Sequence, residues 1–393
     1  MYDFNQVIDR KGTHSLKWDW THKDRELPMW VADMDFAAAP EILAAMQQRL
    51  DHGVFGYSVI PDTWRQAHVD WWRRRHQVSI DPRSLLFVSG VIPGIASILR
   101  KMTAPGDRVL MLTPIYNSFY GVIRDNDRVI EDCPLDYVNG VYSINFERLE
   151  TQLAKPEVKV MIVCNPHNPT GTIWDKDTLE RIATICKAQD VLVIADEIHC
   201  DLTDPGKEYV PYLTLTQTLC ERVIVTVSAT KAFNLAGVQG AALIVPDAGL
   251  RKEVQKGLDR DHITEANAFS LAATVAAFEE GEAWLDALRE YIYDNKQLVK
   301  NYMQEHMPEL FLVESEATYL LWVDCSRVTD DVRRLTDYLR KETGLFVTDG
   351  HLYGEETGRK HFRWNIACPR AVLEDGLARL ELGLKGFLQL EEQ

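Results

Sequence analysis

The sequence predicts an α/β fold: a large unit built on a mostly parallel sheet, followed by a smaller α+β unit. Three observations predict it. Short runs rich in Val, Ile and Leu (85–89, 108–113, 159–164, 191–195, 223–227 and 241–245) alternate with helical stretches such as 176–188, where apolar residues recur at three- and four-residue steps. The runs lack a clean two-residue alternation, as expected of strands covered on both faces. After residue 283 the pattern changes to a long amphipathic stretch over 284–305, then short apolar runs at 311–313, 319–324 and 362–367, with helices near 330–343 and over 370–388. The expected division is an N-terminal segment over 1–45, a large unit over 46–285 and a small unit over 286–393. The N-terminal segment has no strong pattern of its own and is expected to pack on the small unit or on a partner subunit.

Composition narrows the class. The chain has 393 residues, 46% hydrophobic and 26% charged, with a formal net charge of -16. That balance argues against a general nucleic-acid surface, which needs a basic stripe, but leaves room for a local basic pocket. No apolar run approaches the roughly 20 residues of a membrane span, and the polar start MYDFNQVIDRKG lacks the apolar core of a signal peptide. Seven cysteines without CxxC pairs read as reduced, mostly buried thiols of a cytoplasmic protein, not as a metal or disulfide framework.

In open α/β folds, ligands collect at the carboxyl ends of the strands. Four loops there carry chemistry. Gly90-Val91-Ile92-Pro93-Gly94 opens a helix, whose free amides and dipole suit an anion; read alone, it is a weak signal, and an ordinary strand-to-helix turn is the better reading. Asn165-Pro166-His167-Asn168-Pro169-Thr170-Gly171 is stiffened by two Asn-Pro pairs and can aim an asparagine amide at one ligand atom. Asp196-Glu197-Ile198-His199 places a carboxylate at the end of an apolar run, where a buried charge requires a partner. That partner could be a protonated pyridine nitrogen; Asp196 could instead cap a helix, and a metal held with His199 is a weaker option. Ser228-Ala229-Thr230-Lys231 puts an amine between hydroxyls directly after an apolar run. Desolvation would make that amine a usable nucleophile, whereas an exposed loop lysine would do nothing. Together, in this order, the four loops supply phosphate donors, a ring-positioning amide, an acidic partner and an amine: the groups that hold pyridoxal 5'-phosphate (PLP).

These residues resemble the fold-type I PLP-dependent enzymes of the class I/II aminotransferase superfamily, whose Asn-Pro-x-Asn-Pro-Thr-Gly, Asp-Glu and Ser-x-x-Lys stand here in order and spacing. The likeness runs from about Trp18 to the C-terminus. A finer resemblance is to the MalY/PatB-type cystathionine β-lyase (C–S lyase) branch. It is carried by PMWVADMDF at 28–36, Gly56-Tyr57-Ser58, Asp196-Glu197-Ile198-His199, Ala317-Thr318-Tyr319-Leu320 and FRWNIACPR at 362–370.

The resemblance implies the type I PLP-transferase fold with a seven-stranded sheet, and it implies roles. Lys231 would bind the cofactor as a Schiff base, Asp196 would pair with the pyridinium nitrogen, Asn168 with the ring 3′ oxygen, and Tyr116 would stack on the ring. The Val91 and Ile92 amides and the Ser228 hydroxyl would hold the phosphate, joined by Tyr57 of a neighbouring subunit in a homodimer. Arg363 would clamp the substrate carboxylate. His199 stands where many aminotransferases carry a tyrosine, and Gln239 where many carry a phosphate-binding arginine. The implied activity is β-elimination from L-cystathionine or a related cysteine S-conjugate, with Lys231 as base and Lys231 or Tyr57 protonating the leaving sulfur. An aminotransferase on the same scaffold and a regulatory PLP-binding protein are the rivals. The paired tryptophans Trp71-Trp72 read as core, and Arg73-Arg74-Arg75 as a solvated helix face.

Overall fold

A computed structural model describes residues 2–20 and 25–391. Its main sheet has seven strands in the order Leu85–Val88, Ala241–Ile244, Val223–Val227, Leu192–Asp196, Val158–Cys164, Arg108–Thr113, Val129–Pro134. Ala241–Ile244 runs antiparallel to both neighbours, and every other pairing is parallel. Every residue of Leu192–Asp196 and Val223–Val227 is buried. Coverage on both faces explains why no alternation is visible: along Arg108–Thr113, Leu110 and Leu112 enter one apolar cluster while Val109 and Met111 enter another.

Six of the seven strands coincide with apolar runs in the sequence; Val129–Pro134 does not. It is an edge strand whose burial alternates, and it reads V-I-E-D-C-P. Its Glu131 lies between Arg108 and Lys155, and its Asp132 accepts the Thr113 hydroxyl. Charges of this kind are common on edges, where they discourage pairing with another chain.

Helix Lys176–Ala188 is capped by Asp175, which accepts the Thr178 amide at 2.8 Å, and buries Leu179, Ile182, Ala183 and Cys186 along one stripe. The long helix Glu282–His306 bridges two cores: Trp284, Leu285 and Leu288 belong to the main one, Val299 and Met303 to the smaller. The smaller core lies on a four-stranded antiparallel sheet in the order Phe311–Leu312, Leu320–Asp324, His361–Asn365, Thr348–Asp349. Helix Arg370–Glu391 closes it.

The N-terminal segment touches both cores. Leu27–Pro28 pairs parallel with Leu345–Phe346, and Leu27 and Met29 join the smaller core, whereas Phe4, Met34 and Phe36 join the main one. Trp71 and Trp72 are fully buried. The arginines after them are not merely a solvated face: Arg74 and Arg75 pair with Glu282, and Arg75 also with Asp286, fastening helix Asp62–His76 to the long helix. All seven cysteines are free and buried. No helix among the described residues is long and apolar enough to cross a membrane.

One backbone position in the Asn-Pro loop admits only glycine. Gly171 has φ +72°, and an added Cβ would lie 2.5 Å from Ser315 Cβ and 2.8 Å from the Ala317 carbonyl oxygen. Gly171→Ala is therefore expected to cost about 2 kcal/mol or more, from left-handed backbone strain plus overlap. Urea denaturation should show it as a lower midpoint, and an unchanged midpoint would contradict this account of the loop.

Candidate functional site

The four loops meet at one edge of the main sheet around a cavity of about 320 Å³, a size typical of small-molecule sites. Parallel strands bring their carboxyl ends to the same edge. The antiparallel strand Ala241–Ile244 contributes from its beginning, so Gln239 and Gly240 also line the cavity. Val91, Ile92, Tyr116, Asn168, Asp196, His199, Ser228 and Lys231 all lie on its walls.

At one end, helix Val91–Met102 starts after extended Gly90. Gly94 closes the first turn onto the Gly90 carbonyl at 3.0 Å. The Val91 and Ile92 amides precede any such partner, and Pro93 has no amide to offer. The Ser228 side chain lies nearby and is already engaged. It donates to the Gly240 carbonyl at 2.6 Å, accepts the Thr230 amide at 3.1 Å and lies 2.9 Å from the Thr230 hydroxyl. Its oxygen can still accept, but its proton must leave Gly240 before it can serve an anion.

At the other end, Asp196 is buried at the tip of its strand. One carboxylate oxygen accepts the Thr226 hydroxyl at 2.9 Å and the Ile198 amide at 3.3 Å. Burial raises its pKa to about 6 despite these bonds and the nearby Lys231. Lys231 donates to the Ala32 carbonyl at 2.7 Å and makes no ion pair among the described residues. Burial, and then the Arg363 charge, lower its amine to about 8. His199 is buried and uncharged: burial, with Lys231 and Arg363 adding to it, holds its pKa down to about 3. Its Nδ1 has no hydrogen-bond partner.

Arg363 lies beyond the cavity wall, on the middle of strand His361–Asn365. It donates to Asn168 Oδ1 at 3.3 Å and to the Trp30 carbonyl at 3.0 Å, and sits 4.8 Å from the Tyr353 ring centroid. Its Nε has no partner, and no carboxylate among the described residues pairs with it. A buried guanidinium in that state calls for an anion from outside the chain. Arg363 thus stands behind the cavity wall, hydrogen-bonded to Asn168, whereas Tyr57 is not brought near the cavity by this chain. It is fully exposed on the loop that also exposes Val54, Phe55 and Val59.

Several neighbours were not foreseen. Ala32 and Trp30 act through main-chain carbonyls, to which residue type gives no clue. Thr226 did leave a signal, as the single hydroxyl in the apolar run V-I-V-T-V. Tyr319, on the Ala317–Leu320 motif, donates to the Ala32 carbonyl at 3.1 Å. Asp201 anchors the turn that carries His199 by accepting Trp71 Nε1 at 3.1 and 3.2 Å, with His76 Nε2 at 2.9 Å.

The donor set fits PLP: free amides at a helix start for a phosphate, a buried carboxylate for a pyridine nitrogen, an amide side chain, an aromatic ring and a depressed amine. The comparisons agree. A family model for class I and II aminotransferases matches residues 29–380. The chain is 35% identical to cystathionine beta-lyase PatB of Bacillus subtilis, over 97% of this chain and 100% of that one. It is 36% identical to protein MalY of Escherichia coli, over 97% and 98%. Cystalysin from Treponema denticola, whose crystal structure contains pyridoxal 5'-phosphate, is 30% identical and superposes with a TM-score of 0.94 over 98% of this chain and 99% of that one.

Proposed function

The chain belongs to the class I and II aminotransferase family, and from that premise we propose that it is a PLP-dependent carbon–sulfur β-lyase. Its substrate is L-cystathionine or a related cysteine S-conjugate, and its products are a thiol (homocysteine from cystathionine), pyruvate and ammonia. The observation that carries PLP chemistry on an amino acid is the depressed Lys231 amine in the same cavity as Asp196, beside a buried guanidinium with no partner carboxylate among the described residues. The activity for which PatB is named supports elimination over transamination.

Bound PLP supplies an electron sink conjugated to the substrate's α-carbon. The chain's residues do the rest. Lys231 would hold the cofactor covalently, Asp196 would keep its ring nitrogen protonated, and Asn168 and Tyr116 would fix the ring. The Val91 and Ile92 amides, with Ser228, would hold the phosphate. Lys231 is the one cationic side chain among the described residues lining the cavity, so hydrogen bonds rather than an arginine would meet the phosphate charge. Arg363 would take the substrate α-carboxylate in a bidentate pair. Lys231, once free and neutral, accepts the α-proton. The electron pair left on carbon then expels the β-thiolate, which Lys231 or Tyr57 protonates, and the 2-aminoacrylate that is released takes up one water to give pyruvate and ammonia.

A homodimer would complete the site. The exposed loop at 53–60 carries Tyr57 and three further apolar side chains, and a second copy would take the Tyr57 hydroxyl to its phosphate. Seven buried free thiols suit a reducing cytoplasm.

The test is pyruvate release from L-cystathionine by PLP-loaded protein, followed against pH. Lys231 works only when neutral, and its amine titrates at about 8. Turnover should therefore rise with pH, pass half its maximum near 8 and level off about a unit higher. A profile flat from about pH 6 upward would remove Lys231 from the role of base.

A further inference from the structure

The Ala32 carbonyl oxygen takes two hydrogen bonds inside the site, from Lys231 Nζ at 2.7 Å and from the Tyr319 hydroxyl at 3.1 Å. The segment carrying it is fixed on both sides by asparagine amides. Asn365 donates to the Val31 and Asp33 carbonyls, each at 2.6 Å. Asn234 accepts the Met34 amide at 3.0 Å and donates to the Met34 and Phe36 carbonyls at 3.0 and 2.8 Å. Asn234 has φ +56°, a conformation asparagine tolerates better than most residues. Two side chains, one beside Lys231 and one on the strand of Arg363, thus hold one main-chain oxygen in place.

We propose that the Ala32 carbonyl is the dock of the free Lys231 amine during turnover, with Tyr319 setting its acceptor strength and Asn234 and Asn365 holding it still. The proposal rests on Lys231 being the proton acceptor. A free amine at the end of a four-carbon chain samples several staggered rotamers. Binding one N–H to a fixed oxygen selects the rotamer and aims the lone pair. A carbonyl suits the task because it does not titrate and cannot take the proton away. The charged and titratable groups facing the amine are Arg363, which lowers its pKa, Asp33 and Asp196, which raise it, neutral His199, and Tyr319 itself.

Sharing the oxygen has a sign. Tyr319 and Lys231 compete for the same acceptor, and a charged donor gains more from a stronger acceptor than a neutral one does. In Tyr319→Phe the whole oxygen serves Lys231, so the ammonium form is favoured and the amine titrates higher. A side chain that only fills space would leave that titration where it was.

The test uses the full-length chain. With cofactor removed, acetylation of Lys231 is followed across pH by peptide mass spectrometry. Tyr319→Phe is expected to raise the titration by roughly half a unit or more. With PLP restored, exchange in D2O of the α-proton of L-alanine, which has no β-leaving group, should slow about 3-fold at saturation and below about pH 8, while the half-saturating concentration changes less than about 2-fold. Asn234→Gly tolerates the same backbone conformation, loses the clamp and should slow exchange likewise. An unmoved Lys231 titration in Tyr319→Phe, or exchange at the wild-type rate in both variants, would overturn the dock. Failure of the lyase reading looks different: wild-type protein would exchange the α-proton of L-alanine yet release no pyruvate catalytically from L-cystathionine.

Discussion

Lys231→Ala is expected to lower pyruvate release by about 10³-fold or more, because one substitution removes both the covalent anchor and the proton acceptor. The fold should survive. Among the described residues the Lys231 side chain makes a single hydrogen bond, to Ala32, and its backbone sits in a short helix that Ser228 caps by accepting the Thr230 amide. The thermal midpoint should stay near that of the wild type, and PLP should still bind, more weakly, through the amides at Val91 and Ile92 and the Asp196 carboxylate. Steady-state pyruvate assays beside circular dichroism separate the two effects. A variant keeping more than about a tenth of wild-type turnover would place the base elsewhere.

Arg363 carries the second large effect. It is buried, its Nε is unpartnered, and its remaining bonds go to the neutral acceptors Asn168 and Trp30. A substrate carboxylate would give it the only ionic partner available among the described residues. Arg363→Ala should therefore lose about 3–4 kcal/mol of binding, roughly 10²–10³-fold in kcat/KM, mostly as raised KM. Arg363→Lys should recover little, since an ammonium cannot reproduce the planar fork. A further sign follows from the site's charges. Arg363 is one of the groups that lower the Lys231 amine; without it the pH at which turnover levels off should move upward. A kcat/KM within about threefold of wild type in Arg363→Ala would show that the α-carboxylate is bound elsewhere.

Both predictions depend on residues legible in the sequence itself, and the reason is topological. Parallel strands deliver their carboxyl ends to one edge, so the loops after residues 88, 164, 196 and 227 had to converge. Their side chains announce their chemistry by type: an amine, a carboxylate, an amide. What stayed hidden works differently. The carbonyls of Ala32 and Trp30 carry no residue signature, and only the folded path of the N-terminal segment brings them to Lys231 and Arg363. The edge strand Val129–Pro134 escaped because a charged, half-exposed strand has no apolar run to find. The reversal of Ala241–Ile244 escaped because direction leaves no mark on composition, yet it is the reversal that brings Gln239 and Gly240 to the cavity. Tyr57 was assigned through the family resemblance to a neighbouring copy, and in this chain it points to solvent.

Elimination and transamination share Lys231, Asp196 and Arg363, and part only in the fate of the electrons after the α-proton leaves. The most direct measurement of the central claim is the amount of pyruvate formed per protein chain from excess L-cystathionine, with PLP bound and no 2-oxo acid present. Many equivalents of pyruvate per chain are expected, matched by equal thiol, with the cofactor spectrum preserved. A single equivalent of 2-oxo acid per chain, with the cofactor left in its amine form and turnover restored only by an added 2-oxo acid, would contradict that claim and make the protein an aminotransferase.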